Sequence, residues 1–116
     1  MKKVYHLSTC STCQRIIKEL GIGEEFEYQD IKKESITPEQ LEEMKGLAGS
    51  YENLFSRVAM KYKAWGLKEK NLGEEDYKNY ILEEYTFLKR PVFIIDGKIY
   101  IGNSKKNVAA VAEALA

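Results

Sequence analysis

Residues 4–17 read VYHLSTCSTCQRII, and the way this stretch divides governs how the rest of the chain is read. Val4 to Leu7 is a short β-prone run followed by small hydroxyl residues, the pattern of a strand that ends in a turn. From Cys13 onward, Ile16, Ile17 and Leu20 recur at helical spacing, and Gly21 stands just past Leu20 as a stop. The only two cysteines of the chain, Cys10 and Cys13, therefore fall where a strand hands over to a helix, with Ser11 and Thr12 between them.

Outward from this point, Phe26, Glu27 and Tyr28 alternate apolar and charged and suggest a second strand, parallel to the first in a βαβ unit. The middle of the chain reads as helical. Thr37, Pro38 and Gln40 make a capping box with proline at the first helical position, and Leu41, Met44, Leu47 and Ala48 supply the buried face. Ser50 is a candidate cap for a next helix, in which Leu54, Phe55, Val58, Ala59 and Tyr62 recur until Gly66. A third helical stretch carries Tyr77, Tyr80, Ile81 and Tyr85, an aromatic stripe whose spacing is that of a buried face. Beyond it, VFII and KIYI flank Asp96-Gly97, a strong hairpin signal because both turn positions need positive φ. Val108, Val111, Ala112 and Leu115 close the chain as a last helix. The order is βαβ, a helical insert, then ββα. With the cysteine pair opening the first helix and Pro91 opening the third strand, this is the order of an α/β thioredoxin-like fold. One domain over 1–116 is expected, with its insert at about 37–86.

Composition narrows the function. The chain has 116 residues, 44% of them hydrophobic, which is enough for a core of its own. Eighteen basic residues balance eighteen acidic ones, so no net field recruits nucleic acid or a membrane surface directly. The longest aliphatic or aromatic run is VFII at 92–95, far below the roughly 18 apolar residues of a membrane span. MKKVYHLSTC has no apolar stretch of the signal-peptide kind, and the expected compartment is the cytoplasm.

In a reducing compartment structural disulfides are rare, and a closely spaced cysteine pair points to catalysis, sensing or metal. At a helix N-terminus, unpaired N–H groups and the positive end of the dipole favour a thiolate. Cys10, outside the first turn, is then the candidate nucleophile, and Cys13 the candidate resolving thiol that attacks a mixed disulfide. A metal would have Cys10, Cys13 and His6, the single histidine, but structural zinc needs four ligands and no second Cys or His pair exists. No metal site and no bound cofactor are expected. His6 reads either as a half-buried strand residue or as a group that biases the Cys10 thiolate. Arg90 directly precedes Pro91 in LKRPVF. If that proline is cis and lies against the cysteines, the guanidinium can hold an oxyanion or stabilise the thiolate; otherwise Arg90 is a solvated arginine at a strand entry.

YHLSTCSTCQR, LFSRVAMKYKAWGL and FLKRPVFIIDGKIYIG resemble, in order and spacing, the glutaredoxin-coupled arsenate reductase (ArsC) family and its relative, the Spx regulator. The resemblance spans nearly the whole chain and implies a thioredoxin-like domain with a helical insert. For the reductases it implies a nucleophile at Cys10 that attacks arsenate, with glutathione and glutaredoxin, or thioredoxin, as reductant, and a small oxyanion or a protein disulfide as substrate. The family's oxyanion site has three arginines. One is matched by Arg90 beside Pro91; the position after the hairpin is Gly102, and the middle one falls at Ser56, with Arg57 beside it. Gln14 stands where the cysteine loop of the family carries arginine, and Arg15 follows it. The Spx branch has a second cysteine at the position of Cys13, and implies a redox switch that binds RNA polymerase.

Overall fold

A computed structural model describes all 116 residues. In chain order they form β1 (Lys2–His6), α1 (Ser11–Leu20), β2 (Glu27–Asp30), α2 (Pro38–Ala48), α3 (Met60–Ala64), α4 (Glu74–Glu83), β3 (Val92–Ile95), β4 (Lys98–Ile101) and α5 (Lys105–Leu115). Short 3-10 turns lie at Glu52–Leu54, Leu67–Glu69 and Tyr85–Phe87. The chain divides into two units, Met1–Glu34 with Arg90–Ala116, and Ser35–Lys89, which follows the first segment and precedes the second in sequence. No helix is long and apolar enough to cross a membrane.

The first unit holds a four-stranded sheet in the order β2-β1-β3-β4. β1 and β2 pair in parallel, as expected of a βαβ unit, and the pairing sets His6 opposite Asp30. β3 runs antiparallel to β1, and β4 antiparallel to β3. Every residue of β3 is buried, which is why this strand reads as an unbroken apolar run rather than an alternating one. The hairpin signal is realised in full: Ile95 pairs with Lys98, and the two residues between them, Asp96 and Gly97, have φ of 49° and 86°. One face of the sheet buries Val4, Phe93 and Ile95 against Ile16 of α1, Val111 of α5 and Phe26. Each such side chain taken from water contributes roughly 1.5–3 kcal/mol, enough to hold α1 and its cysteine end in one place on the sheet.

The second unit is helical with an aromatic centre. At α2 the capping box forms as the sequence predicts, with Gln40 N–H donating to Thr37 Oγ1 at 3.0 Å and Thr37 N–H donating to Gln40 Oε1 at 3.1 Å. Thr37→Ala removes one of these bonds and leaves an orphan amide. It is expected to lower stability by about 1 kcal/mol in a urea titration, and an unchanged midpoint would count against the cap.

The helix expected to run from Ser50 to Gly66 is not continuous. Ser50 Oγ accepts Asn53 N–H at 3.1 Å, but it is not a helix cap: the element that follows is the 3-10 turn Glu52–Leu54, whose N-cap is Tyr51. Phe55 is then extended and makes an antiparallel bridge with Leu88, with Ser56 N–H donating to Phe87 C=O at 2.7 Å and Lys89 N–H to Leu54 C=O at 2.9 Å. These long-range bonds replace the helical ones. They also let the Phe55 ring pack among Tyr62, Tyr77 and Phe87. The price is Val58 and Met60, 93% and 89% exposed, where a helix would have buried Val58. Helix resumes only at α3, and Gly66, at φ 65°, ends that stretch. The aromatic stripe does serve as core at Tyr77 and Ile81, whereas Tyr85 lies past the end of α4 in a 3-10 turn.

Candidate active site

β1 ends at His6, and the chain turns through Leu7, Ser8 and Thr9 with Cys10 N–H donating to Leu7 C=O at 3.0 Å. Cys10 is the N-cap residue of α1, in extended conformation, and its carbonyl accepts the first helical bond from Gln14 N–H at 3.1 Å. Three residues on, Cys13 points into the protein and is 0% exposed, while Cys10 is half-buried. Both are free thiols.

Their environments drive the two sulfurs apart. At Cys10, burial pulls the thiol up, but the Cys13 N–H, the Cys13 thiol, the Arg90 charge and the Thr12 N–H together outweigh it, and the net shift is downward. The neutral thiol makes no capping hydrogen bond, as expected of a poor acceptor; the amides of the first turn gain their hold when the sulfur becomes an anion. At Cys13, burial is the dominant cause and the neighbouring Cys10 adds to it, against the Leu7 N–H and Arg90, so the thiol is pushed up to about 11. One thiol that ionises more readily than its buried neighbour is what thiol-disulfide exchange through a mixed disulfide uses.

Arg90 acts on both sulfurs as a nearby positive charge, and its peptide bond to Pro91 is cis. Pro91 is buried, and its carbonyl accepts Gly102 N–H at 2.9 Å, which ties the end of β4 to the proline. Gly102 itself has φ 96°. An arginine there would sit in the left-handed region that L side chains rarely adopt, so the glycine is required by the backbone and the arginine is not simply missing from an otherwise ready position.

The remaining sequence candidates lie as follows. His6 is half-buried; burial lowers its pKa, the carboxylate of Asp30 opposes that, and its ring meets Tyr28 edge-on at 5.9 Å. Arg15 pairs with Glu19 at 3.5 Å and lines a groove of about 640 Å³ together with Val108 and Leu115 of α5. Arg57, in the second unit, is engaged there by Glu52 at 2.7 Å and by the Tyr77 hydroxyl at 2.9 Å. Ser56 is buried. No group of three or more His, Cys, Asp or Glu side chains is arranged to hold a metal ion. Beside the redox turn stand Asp30, which sequence reasoning passed over, and Gln14, singled out there only as replacing a family arginine: Asp30 Oδ1 accepts Ser8 N–H at 3.4 Å, and Gln14 Nε2 donates to Ser8 C=O. The signal for Asp30 was present only as an acidic residue ending a strand, and its meaning depends on the β1–β2 register.

Comparison with known proteins agrees with this geometry. The model of the ArsC family matches residues 5–111. An arsenate reductase of Neisseria meningitidis serogroup A is 28% identical over 118 residues, covering 94% of this chain and 96% of the relative. Among solved structures, the YFFB protein superposes with a TM-score of 0.81 at 21% identity over 100% of both chains. An arsenate reductase from Vibrio cholerae superposes with a TM-score of 0.77 at 18% identity, over 95% of this chain and 96% of that one. At such identities the solved structures establish the shared fold, that of ArsC-type thioredoxin-like proteins.

Proposed function

Since this chain belongs to the ArsC family, we propose that it is a thiol-dependent oxidoreductase in which Cys10 attacks, Cys13 resolves and Arg90 stabilises the attacking thiolate. The observation that carries the reading is the split between the two sulfurs, a lowered thiol at the helix N-cap and a buried one pushed up to about 11. In the forward half, the Cys10 thiolate attacks one sulfur of a substrate disulfide; a Cys10–S–S–R bond forms and the other substrate thiolate leaves. Cys13 then gives up its proton and attacks Cys10 Sγ. The second substrate thiolate leaves and picks up a proton, and the enzyme holds a Cys10–Cys13 disulfide. A second thiol reductant, glutathione with glutaredoxin or thioredoxin, returns both cysteines to thiols. His6, Arg15 and Arg57 play no direct part in this scheme.

Arsenate enters as a substrate through the relatives' names. Arg90 supplies a positive charge at the sulfurs, whereas Gly102 is committed to a left-handed conformation. A disulfide substrate, which needs no oxyanion cradle, is therefore the better supported of the two. The test is multiple-turnover reduction of a model disulfide and of arsenate, each with glutathione plus glutaredoxin or with thioredoxin. Absence of turnover on both, together with an ordinary Cys10 thiol pKa, would remove the enzyme reading. The same two cysteines would serve an Spx-like switch that binds RNA polymerase, and for that role capture of polymerase must differ between the oxidised and reduced protein.

Arg90→Ala is expected to raise the Cys10 thiol pKa by about one unit and to slow disulfide attack at neutral pH by roughly threefold, the lost thiolate being partly offset by a more nucleophilic sulfur. Arg90→Lys keeps the charge and should recover most of the pKa shift. An alkylation rate-pH profile that Arg90→Ala leaves in place would show that the arginine does not act on the sulfur.

A further inference from the structure

We infer that Asp30 and Gln14 are positioning residues that grip Ser8 from its two sides and so hold Cys10 at the N-terminus of α1; the inference rests on Cys10 being the reacting thiol. The parallel register places Asp30 across from His6, two residues before Ser8. From there the Asp30 carboxylate takes the Ser8 N–H at 3.4 Å, long for such a bond, and also bonds the Ser8 hydroxyl, the largest influence holding its own pKa down. The same Oδ1 accepts Lys32 N–H at 3.1 Å, so the carboxylate is fixed by the turn after β2. Its second oxygen is buried without a hydrogen-bond partner, a costly placement for a carboxylate. On the other side, Gln14 reaches back from the first turns of α1 to the Ser8 carbonyl. Both backbone groups of Ser8 are thus engaged, one by β2 and one by α1, and Cys10 follows two residues later.

The arrangement makes a prediction whose sign separates positioning from charge. The groups that face Cys10 are the positive Arg90, the Cys13 thiol and the amides of Thr12 and Cys13. His6, with its pKa lowered by burial, is largely neutral at neutral pH and leaves Asp30 as the nearby negative charge. If Asp30 acted only through space, removing it would favour the thiolate and lower the Cys10 pKa. If it holds the turn, removing it lets the sulfur drift from the α1 amides, and the pKa rises.

The experiment is the pH profile of Cys10 alkylation, with thermal midpoints alongside, for the native chain, Asp30→Ala, Asp30→Asn and Gln14→Ala. Asp30→Ala should raise the Cys10 pKa by about half a unit to one unit. Asp30→Asn, which keeps an acceptor oxygen for Ser8, should return most of the shift, and a merely structural role would move the midpoint while leaving the pKa in place. Gln14→Ala, at an exposed helical position where alanine is well tolerated, should raise the pKa as well. An unchanged or lowered pKa in Asp30→Ala overturns the inference. If Asp30→Ala does not fold, an unchanged pKa in Gln14→Ala overturns it instead. A native Cys10 that titrates like a free thiol defeats the oxidoreductase reading itself, a result distinct from a low native pKa that the variants do not move.

Discussion

Cys10→Ser is expected to abolish disulfide turnover, with a fall on the order of 10⁴-fold or more, because the nucleophile is the whole of the first chemical step and a serine hydroxyl at the same helix terminus stays protonated. Cys13→Ser gives a different defect. The first attack proceeds, since Cys10 still has the helix amides and Arg90, but the mixed disulfide has no internal thiol to displace it and should accumulate as a covalent adduct that mass spectrometry detects. An adduct on Cys13 in Cys10→Ser, or no adduct in Cys13→Ser, would reverse or remove the assigned roles.

The pH dependence of the second step follows from burial. Cys13 is held protonated, at about 11, chiefly because its thiolate would lie out of water. Once Cys10 is tied up in a mixed disulfide its anion no longer adds to that shift, yet the burial remains. Ring closure should therefore speed up with rising pH through the neutral range, by roughly tenfold per unit while the pH stays below the Cys13 pKa. The first step, set by the lowered Cys10 thiol, should level off at lower pH. Single-turnover release of the two substrate thiols separates the steps, and a closing step that is flat with pH would show that ionisation of Cys13 does not limit ring closure.

The largest expected effect on stability is at Phe87. Its ring stacks on Phe55 at 5.1 Å and 19°, meets Trp65 at 5.5 Å and Tyr80 at 5.8 Å, and is fully buried. Phe87→Ala leaves a cavity at the junction of these rings and should cost about 3–5 kcal/mol, against a total of about 5–15 kcal/mol for a typical domain. Trp65, the single tryptophan, lies against the mutated position and its fluorescence reports the loss in a urea titration. A cost below about 1 kcal/mol would mean the aromatic cluster relaxes around the gap and does not anchor the second unit.

Phe87 also marks where local sequence ceases to be a sufficient guide. The strand-to-helix turn at the cysteines, the capping box at Thr37 and Gln40, the Asp96-Gly97 hairpin and the last helix are all legible along the chain. Each is specified by groups a few residues apart, whose hydrogen bonds and φ preferences are satisfied within the segment. Residues 52–59 have an equally helical pattern and do otherwise, because Phe55 and Leu88, far apart in sequence, are bridge partners whose neighbours bond across, Ser56 N–H to Phe87 C=O and Lys89 N–H to Leu54 C=O. The rings of Phe55 and Phe87 then pack with an energy that local helix propensity, at a few tenths of a kcal/mol per residue, cannot match.

The candidate site divides in the same way. Spacing alone identifies Cys10 and Cys13 as a pair at a helix start, and Arg90 as the residue before the proline of the third strand. The motif also assigns Cys10 as nucleophile, but how far the two sulfurs are driven apart depends on the Arg90 charge at Cys10 and the burial of Cys13, which belong to the folded sheet and helix. Asp30 is far from Cys10 in sequence and acquires a role only through the register that sets it opposite His6. Gly102 likewise reads as a lost arginine until its left-handed backbone and its bond to Pro91 are known. Motifs written in nearest-neighbour chemistry could be read from the residues; charge, desolvation and long-range pairing arise when distant segments meet, and those are what tune the thiols.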